Sequence, residues 1–214
     1  GGVGAAGEVE QRLGHVVADH RVERAAERLH ERALALQTGR VGVGEAVAAG
    51  DVHGEQVAVG TVLVLMLIEE LLKENIDFDA ARESARAYNS AAWELEIHAH
   101  YGAAADEVIA LEQKAGKNNI EGRLARIDSM QRSWDAVRVQ LETLPESSSV
   151  RALLRDIGCP CTPSDIGVDD ELLMDTFRYC KEIRARYTVF QTVYDLGLTD
   201  KLAARVIEKA NSTD

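Results

Sequence analysis

Histidine is the residue type best suited to chemistry near neutral pH, and this chain has six: His15, His20, His30, His53, His98 and His100. His98 and His100 stand two apart in a helical stretch, so their rings point to different faces and cannot jointly hold one metal ion. Their spacing predicts surface or packing roles beside Trp93 and Tyr101. His15, His20 and His30 fall in a compositionally biased segment and form no ligand pattern. His53 is different, because it heads the run His53-Gly54-Glu55-Gln56-Val57-Ala58-Val59-Gly60-Thr61. Gly54 and Gly60 remove side-chain bulk on either flank, as a close approach by another backbone or a ligand requires. Spacing alone leaves two roles open for His53, a helix-end capping or packing residue and a metal ligand.

Other candidates resolve into bland roles. Gly2-Val3-Gly4-Ala5-Ala6-Gly7 matches GxGxxG literally, but a dinucleotide turn must leave a strand and aim a helix N-terminus at the pyrophosphate. No strand precedes it, so the match is read as chance. Glu69-Glu70 and Asp169-Asp170 are adjacent pairs that face apart on helices, which predicts solvated ends rather than acid/base dyads. Cys159, Cys161 and Cys180 cannot form an even disulfide framework, and Cys159-Pro160-Cys161 lacks a zinc-knuckle spacer. Free thiols are expected. Neither a GxSxG elbow nor a GxxxxGK[ST] loop occurs.

These residues need elements to position them. The chain has 214 residues, 46% of them hydrophobic, enough to bury a sizeable core. Its formal net charge of -12 repels phosphate backbones and anionic surfaces, so no nucleic-acid partner is expected. The longest apolar run, Val57 to Ile68, is 12 residues, short of the roughly 20 that span a bilayer. It reads as a buried core helix with no membrane partner. Without a charged-then-apolar leader the expected location is cytoplasmic.

Residues 1–50 contain no Lys, Ile, Phe, Tyr, Trp, Asn, Ser, Pro, Cys or Met, a restricted alphabet that marks biased sequence. Glu8 to Gln37 keeps a helical apolar spacing, with a Gly-rich linker from Gly39 to Gly50; alternatively the segment is GC-rich DNA read in the wrong frame, which predicts poor order. The expected division is therefore 1–50, biased, and 51–214, a helical domain. Helices are expected over His53 to Asn75, from Asp77 or Asp79 to Gly102, Ala103 to Ala115, Ile120 to Thr143, Ser147 to Gly158, Asp169 to Tyr187, and in the apolar segments Thr188 to Leu196 and Lys201 to Ala210. In the second of these, Ala81, Ala85, Tyr88, Ala92, Leu95 and Ala99 share one face. Clean alternation is absent, so the fold class is all-α, a helical bundle.

The run from His53 to Thr61 resembles the HGEQVxxGT segment of the sn-glycerol-1-phosphate dehydrogenases, within the dehydroquinate synthase-like and iron-containing alcohol dehydrogenase superfamily. Tyr101-Gly102 with Ala105-Asp106-Glu107-Val108-Ile109 is similar to its YGxxAxEVI helix start. Lys114 to Asn118 resembles its KxGKN turn, Thr162 to Gly167 its TPxxIG turn, and Ile183 to Val189 its IRxRYTV segment. The resemblance covers about Asp51 to Glu208. It implies the C-terminal helical, metal-binding domain of an enzyme whose N-terminal α/β half binds NAD or NADP, that half being absent here. It further implies interconversion of sn-glycerol 1-phosphate and dihydroxyacetone phosphate for phospholipid biosynthesis, with a zinc or nickel ion polarising the carbonyl and a homo-oligomeric parent. His53 would be one metal ligand; no catalytic or cofactor-binding residue carries over.

The family's upstream His pair, four apart, has no counterpart, and residues such as Gln37 and Val41 stand where it belongs. One imidazole cannot fix an ion for which catalytic sites use about three protein ligands. The chain as it stands is expected to bind neither metal nor cofactor tightly and to be inactive. The alternatives are another polyol or alcohol dehydrogenase of the superfamily, a non-catalytic helical scaffold, and a gene fragment.

Overall fold

A computed structural model describes the backbone of residues 49–183 and 185–212, with side chains from Gly54 onward. The described residues are all-α: α1 (Ala49–Leu72), α2 (Phe78–Arg86), α3 (Ser90–Tyr101), α4 (Ala105–Ala115), α5 (Ile120–Leu141), α6 (Ser147–Asp156), α7 (Asp170–Tyr179), α8 (Val189–Asp195) and α9 (Thr199–Asn211), with 3-10 turns at Gly102–Ala104 and Pro163–Ile166. No helix among them is long and apolar enough to cross a membrane. The biased segment before Ala49, with its GxGxxG match, His15, His20 and His30, lies outside the described residues.

The apolar run makes α1 the centre of the bundle. Val62, Met66, Leu67 and Leu71 are buried against Leu202, Ala203, Val206, Ile207 and Ala210 of α9 and Leu173 and Phe177 of α7. Leu67 and Leu71 are fully buried, and each such side chain stabilises the fold by about 1.5–3 kcal/mol. On the other side α2 lays Ala81 and Ala85 against Ile127 of α5. A satellite cluster of Trp93, Ile97, Ala105 and Val108 joins α3 to α4.

Three expectations need correction. The helix expected from Asp77 to Gly102 is two helices, because Asn89 accepts hydrogen bonds from the Ala91 and Ala92 amides and starts a new one. The restart resets the register: Trp93 and Ile97 turn inward, while Leu95 is 73% exposed and Ala92 and Ala99 face water. The helix expected to run to Tyr187 ends at Tyr179, since the following turn carries Lys181 and Glu182 into the interior. Glu69 and Glu70 are not solvated ends: Glu70 is buried, and Glu69 accepts from the amide and hydroxyl of Ser147.

Other boundaries follow local chemistry. Asp77 and Asp169 cap α2 and α7 through their side chains. Gly116 closes α4 at φ 62°, a left-handed conformation that costs glycine little. Thr162 and Asp165 form a capping box around Pro163, and the Asp165 carboxylate also takes the Cys161 amide at 3.0 Å. None of the three cysteines is in a disulfide among the described residues, and Cys161 is buried. Leu153 and Ile157, one turn apart, remain 63% and 70% exposed.

Candidate functional site

His53 lies within α1, one turn from its start; its side chain is outside the described residues. The helix behind it is ordinary, with the Thr61 hydroxyl donating to the Val57 carbonyl at 2.8 Å. Gly54 and Gly60 were expected to admit a close neighbour, yet no described atom comes within 4 Å of where a Cβ would stand at either. That flank of α1 is open among the described residues.

The described residues do not by themselves fit the implied metal. No three His, Cys, Asp or Glu side chains among them come together as a metal site, and no step is derived through one. Nor do they contain a strand from which a dinucleotide turn could spring. His98 is half exposed and 3.9 Å from Asp106. His100 stacks on Tyr179 with ring centroids 4.3 Å apart and lies 3.5 Å from Asp175. Both take the surface and packing roles that their spacing predicted.

The most concentrated chemistry is a buried polar cluster between the turn after α4 and the segment after α7. Lys181 pairs with Glu182, and both are buried. Glu182 also accepts from the Trp93 indole at 3.1 Å and the Asn118 amide nitrogen at 3.1 Å. Lys117 donates to the Lys181 carbonyl and lies 3.7 Å from Glu112. The Asn118 backbone amide donates to Glu112 as well.

The cluster continues into α5 and α8. Arg126 grips Asp195 with two hydrogen bonds, at 2.7 and 3.0 Å, and Arg123 lies 3.3 Å from the same carboxylate. Gln191 and Tyr187 donate to Asp195 too. The Tyr194 ring receives two cations, Lys181 at 3.8 Å and Arg123 at 4.2 Å.

Burial dominates the electrostatics here. It pulls the Lys181 ammonium down to about 7, helped by neighbouring Lys117, and lowers Lys117 against the pull of Glu112. Burial pushes the Tyr88 phenol up to about 12 and raises Tyr101 and Tyr187 further. The Tyr101 hydroxyl donates to the Tyr179 carbonyl at 2.8 Å.

Spacing found Lys117 and Asn118 only as part of the KxGKN resemblance and missed Lys181, Glu182 and Asp195. Their signal was negative: charged residues at positions a helical pattern assigns to the interior. Beside the cluster, Tyr88, Ser90, Asn119, Ile120 and Glu121 line an open cleft of about 500 Å³.

Comparison with known proteins gives one relationship. The chain is 38% identical over 60 residues to the glycerol-1-phosphate dehydrogenase [NAD(P)+] of Methanoregula boonei, and 39% identical over 61 residues to that of Methanocorpusculum labreanum. Each match takes in 28% of this chain and only 16% or 17% of the relative. No family model matches the sequence, and no solved structure matches it. Over about a quarter of its length, this chain, all-helical among its described residues, is similar to the glycerol-1-phosphate dehydrogenases.

Proposed function

We propose that the chain is the C-terminal helical part of a metal-dependent, NAD(P)-linked oxidoreductase interconverting sn-glycerol 1-phosphate and dihydroxyacetone phosphate. The observation that carries this reading is the 38% identity to a named glycerol-1-phosphate dehydrogenase. The geometry supports it. Lys117 and Asn118 of the turn 114–118, which the resemblance singled out, bond to Lys181 and Glu182, the two residues just before segment 183–189, across 64 residues of sequence.

In this reading His53 is one ligand of a divalent ion that polarises the substrate carbonyl when bound. The remaining ligands and the nucleotide-binding fold are supplied by residues other than those described, so residues 49–212 alone turn over no substrate. What these residues do is structural: α1, packed against α6, α9 and the turn at Pro163–Ile166, fixes the position of its own first turn.

The test is a chimera of the Methanoregula boonei enzyme carrying residues 49–212 in place of its helical part. It should oxidise sn-glycerol 1-phosphate with NAD+ or NADP+ at a kcat/KM at least tenfold above that for glycerol. A folded chimera preferring glycerol would contradict the proposal and favour a polyol dehydrogenase. One folded, metal-loaded and inactive on both would favour a non-catalytic scaffold.

A further inference from the structure

Two apolar cores share this chain. The larger is built on α1, α7 and α9, and the smaller, of Trp93, Ile97, Ala105 and Val108, belongs to α3 and α4. These two helices pack on each other and on the 3-10 turn between them; among the described residues, the backbone of neither runs close alongside any other helix. The chain enters this hairpin at Tyr88 to Ser90 and leaves it at Asn119 to Glu121, and an open cleft lies at the two crossings. Helices of 12 and 11 residues are marginal alone, so the hairpin depends on what ties it down.

Most of the described ties come from one short stretch, 179–183. The Tyr179 ring stacks on His100 and its carbonyl accepts the Tyr101 hydroxyl. Tyr179 and Ile183 also pack against the small core. The Lys181 carbonyl accepts Lys117, and the Glu182 carboxylate accepts the Trp93 indole and the Asn118 side-chain amide. From outside the stretch, Arg126 of α5 donates to the Lys117 carbonyl, and Asp175 of α7 lies 3.5 Å from His100.

Glu182 is the residue of the stretch that grips both ends of the hairpin. Trp93 stands in the first turn of α3, and Asn118 follows the end of α4. The carboxylate is fully buried, and the buried charges around it balance: Lys117, Arg123 and Lys181 against Glu112, Glu182 and Asp195. Deleting Glu182 therefore leaves a cation uncompensated in the interior, besides two donors without their acceptor.

We propose that stretch 179–183 is a strap holding the α3–α4 hairpin to the bundle, with Glu182 as its buckle, so that two separate apolar cores unfold as one cooperative unit. Cooperative units usually follow contiguous cores. Here a buried polar group supplies the coupling that apolar packing does not. The strap is independent of the dehydrogenase reading, because every group in it belongs to the described residues.

Hydrogen exchange of the full chain tests this, read by mass spectrometry on peptides from α3 and α4 and from α1 and α9. In the wild type the slowest amides of the hairpin and of the bundle should share one protection level, within about threefold. In Glu182→Ala the hairpin should fall at least about a hundredfold below the bundle, as breaking a buried ion pair implies. Urea unfolding gives a second readout. The chain has two tryptophans, so in a Trp134→Phe background Trp93 reports on the hairpin alone. Its transition should coincide with that of circular dichroism, and precede it once Glu182→Ala is added.

Asn118→Ala removes a single bond to the buckle and should open a gap of at least about tenfold; it decides the matter if Glu182→Ala does not fold. Protection that falls equally in hairpin and bundle would make Glu182 an ordinary core residue and overturn the proposal. A hairpin whose protection is unchanged by either substitution would show that Tyr179 and Ile183 hold it without the carboxylate, and would overturn it equally.

Discussion

The Glu69 carboxylate of α1 accepts both the backbone amide and the hydroxyl of Ser147, at 2.6 and 2.9 Å, across 78 residues of sequence. Glu146, at the capping position of α6, makes no capping hydrogen bond through its side chain. A carboxylate from the central helix therefore serves as the cap of another. Glu69→Ala should cost about 1.5–3 kcal/mol, the range for hydrogen bonds to a charged group, and urea denaturation measures it. A change within about 0.5 kcal/mol would show that Ser147 finds another partner.

The same carboxylate makes the fold acid-sensitive. Burial pushes Glu69 up, but hydrogen bonds from Lys209 and Ser147 outweigh it and hold the group below its ordinary value. Glu74 is lowered first by its hydrogen bond from Lys201, with Arg205 adding to it. Groups lowered on folding stabilise the native state above the unfolded value, here 4.5, and lose that contribution as pH falls through the folded value. Thermal unfolding should shift downward as pH drops below 4.5, and the shift should shrink in Glu69→Gln/Glu74→Gln.

Asp195 is fully buried and holds Arg126, Arg123, Gln191 and Tyr187. Removing one side of a buried ion pair strands the other, at about 3–5 kcal/mol. Asp195→Ala should lose that much in chemical denaturation. A smaller loss would mean that water reaches both guanidinium groups.

Gly60 sits inside α1, and a Cβ there meets no described atom within 4 Å. Alanine is favoured over glycine inside a helix by about 0.5–1 kcal/mol. Gly60→Ala should stabilise the chain by that amount. Destabilisation would reveal a neighbour packed against this flank.

Leu67 is fully buried within the core cluster, so Leu67→Ala should cost about 2–5 kcal/mol. A loss under 1 kcal/mol would place the centre of the core elsewhere than on α1.

Much of this architecture is legible in the sequence because it is local. The apolar run of α1, the glycine after Ala115 and the capping aspartates announce themselves in spacing and residue type. Asn89 has an N-cap residue type too, but the apolar spacing continues on either side of it and by itself predicts one helix. The buried cluster is harder to read, because Glu182 and Lys181 sit among charged neighbours that look solvated. Only the fold brings Trp93 and Asn118 to them from 89 and 64 residues away. His53 is a third case: spacing leaves its role open, and the family resemblance gives it one.

That role decides the account. The chimera bearing residues 49–212 should be purified with and without His53→Ala and its bound divalent metal measured by elemental analysis, with circular dichroism as a check on folding. The account predicts close to one metal ion per chain with His53 and at least a tenfold weaker hold on it in the alanine variant, with activity lost in parallel. A folded His53→Ala chimera that retains its metal and its turnover of sn-glycerol 1-phosphate would contradict the assignment.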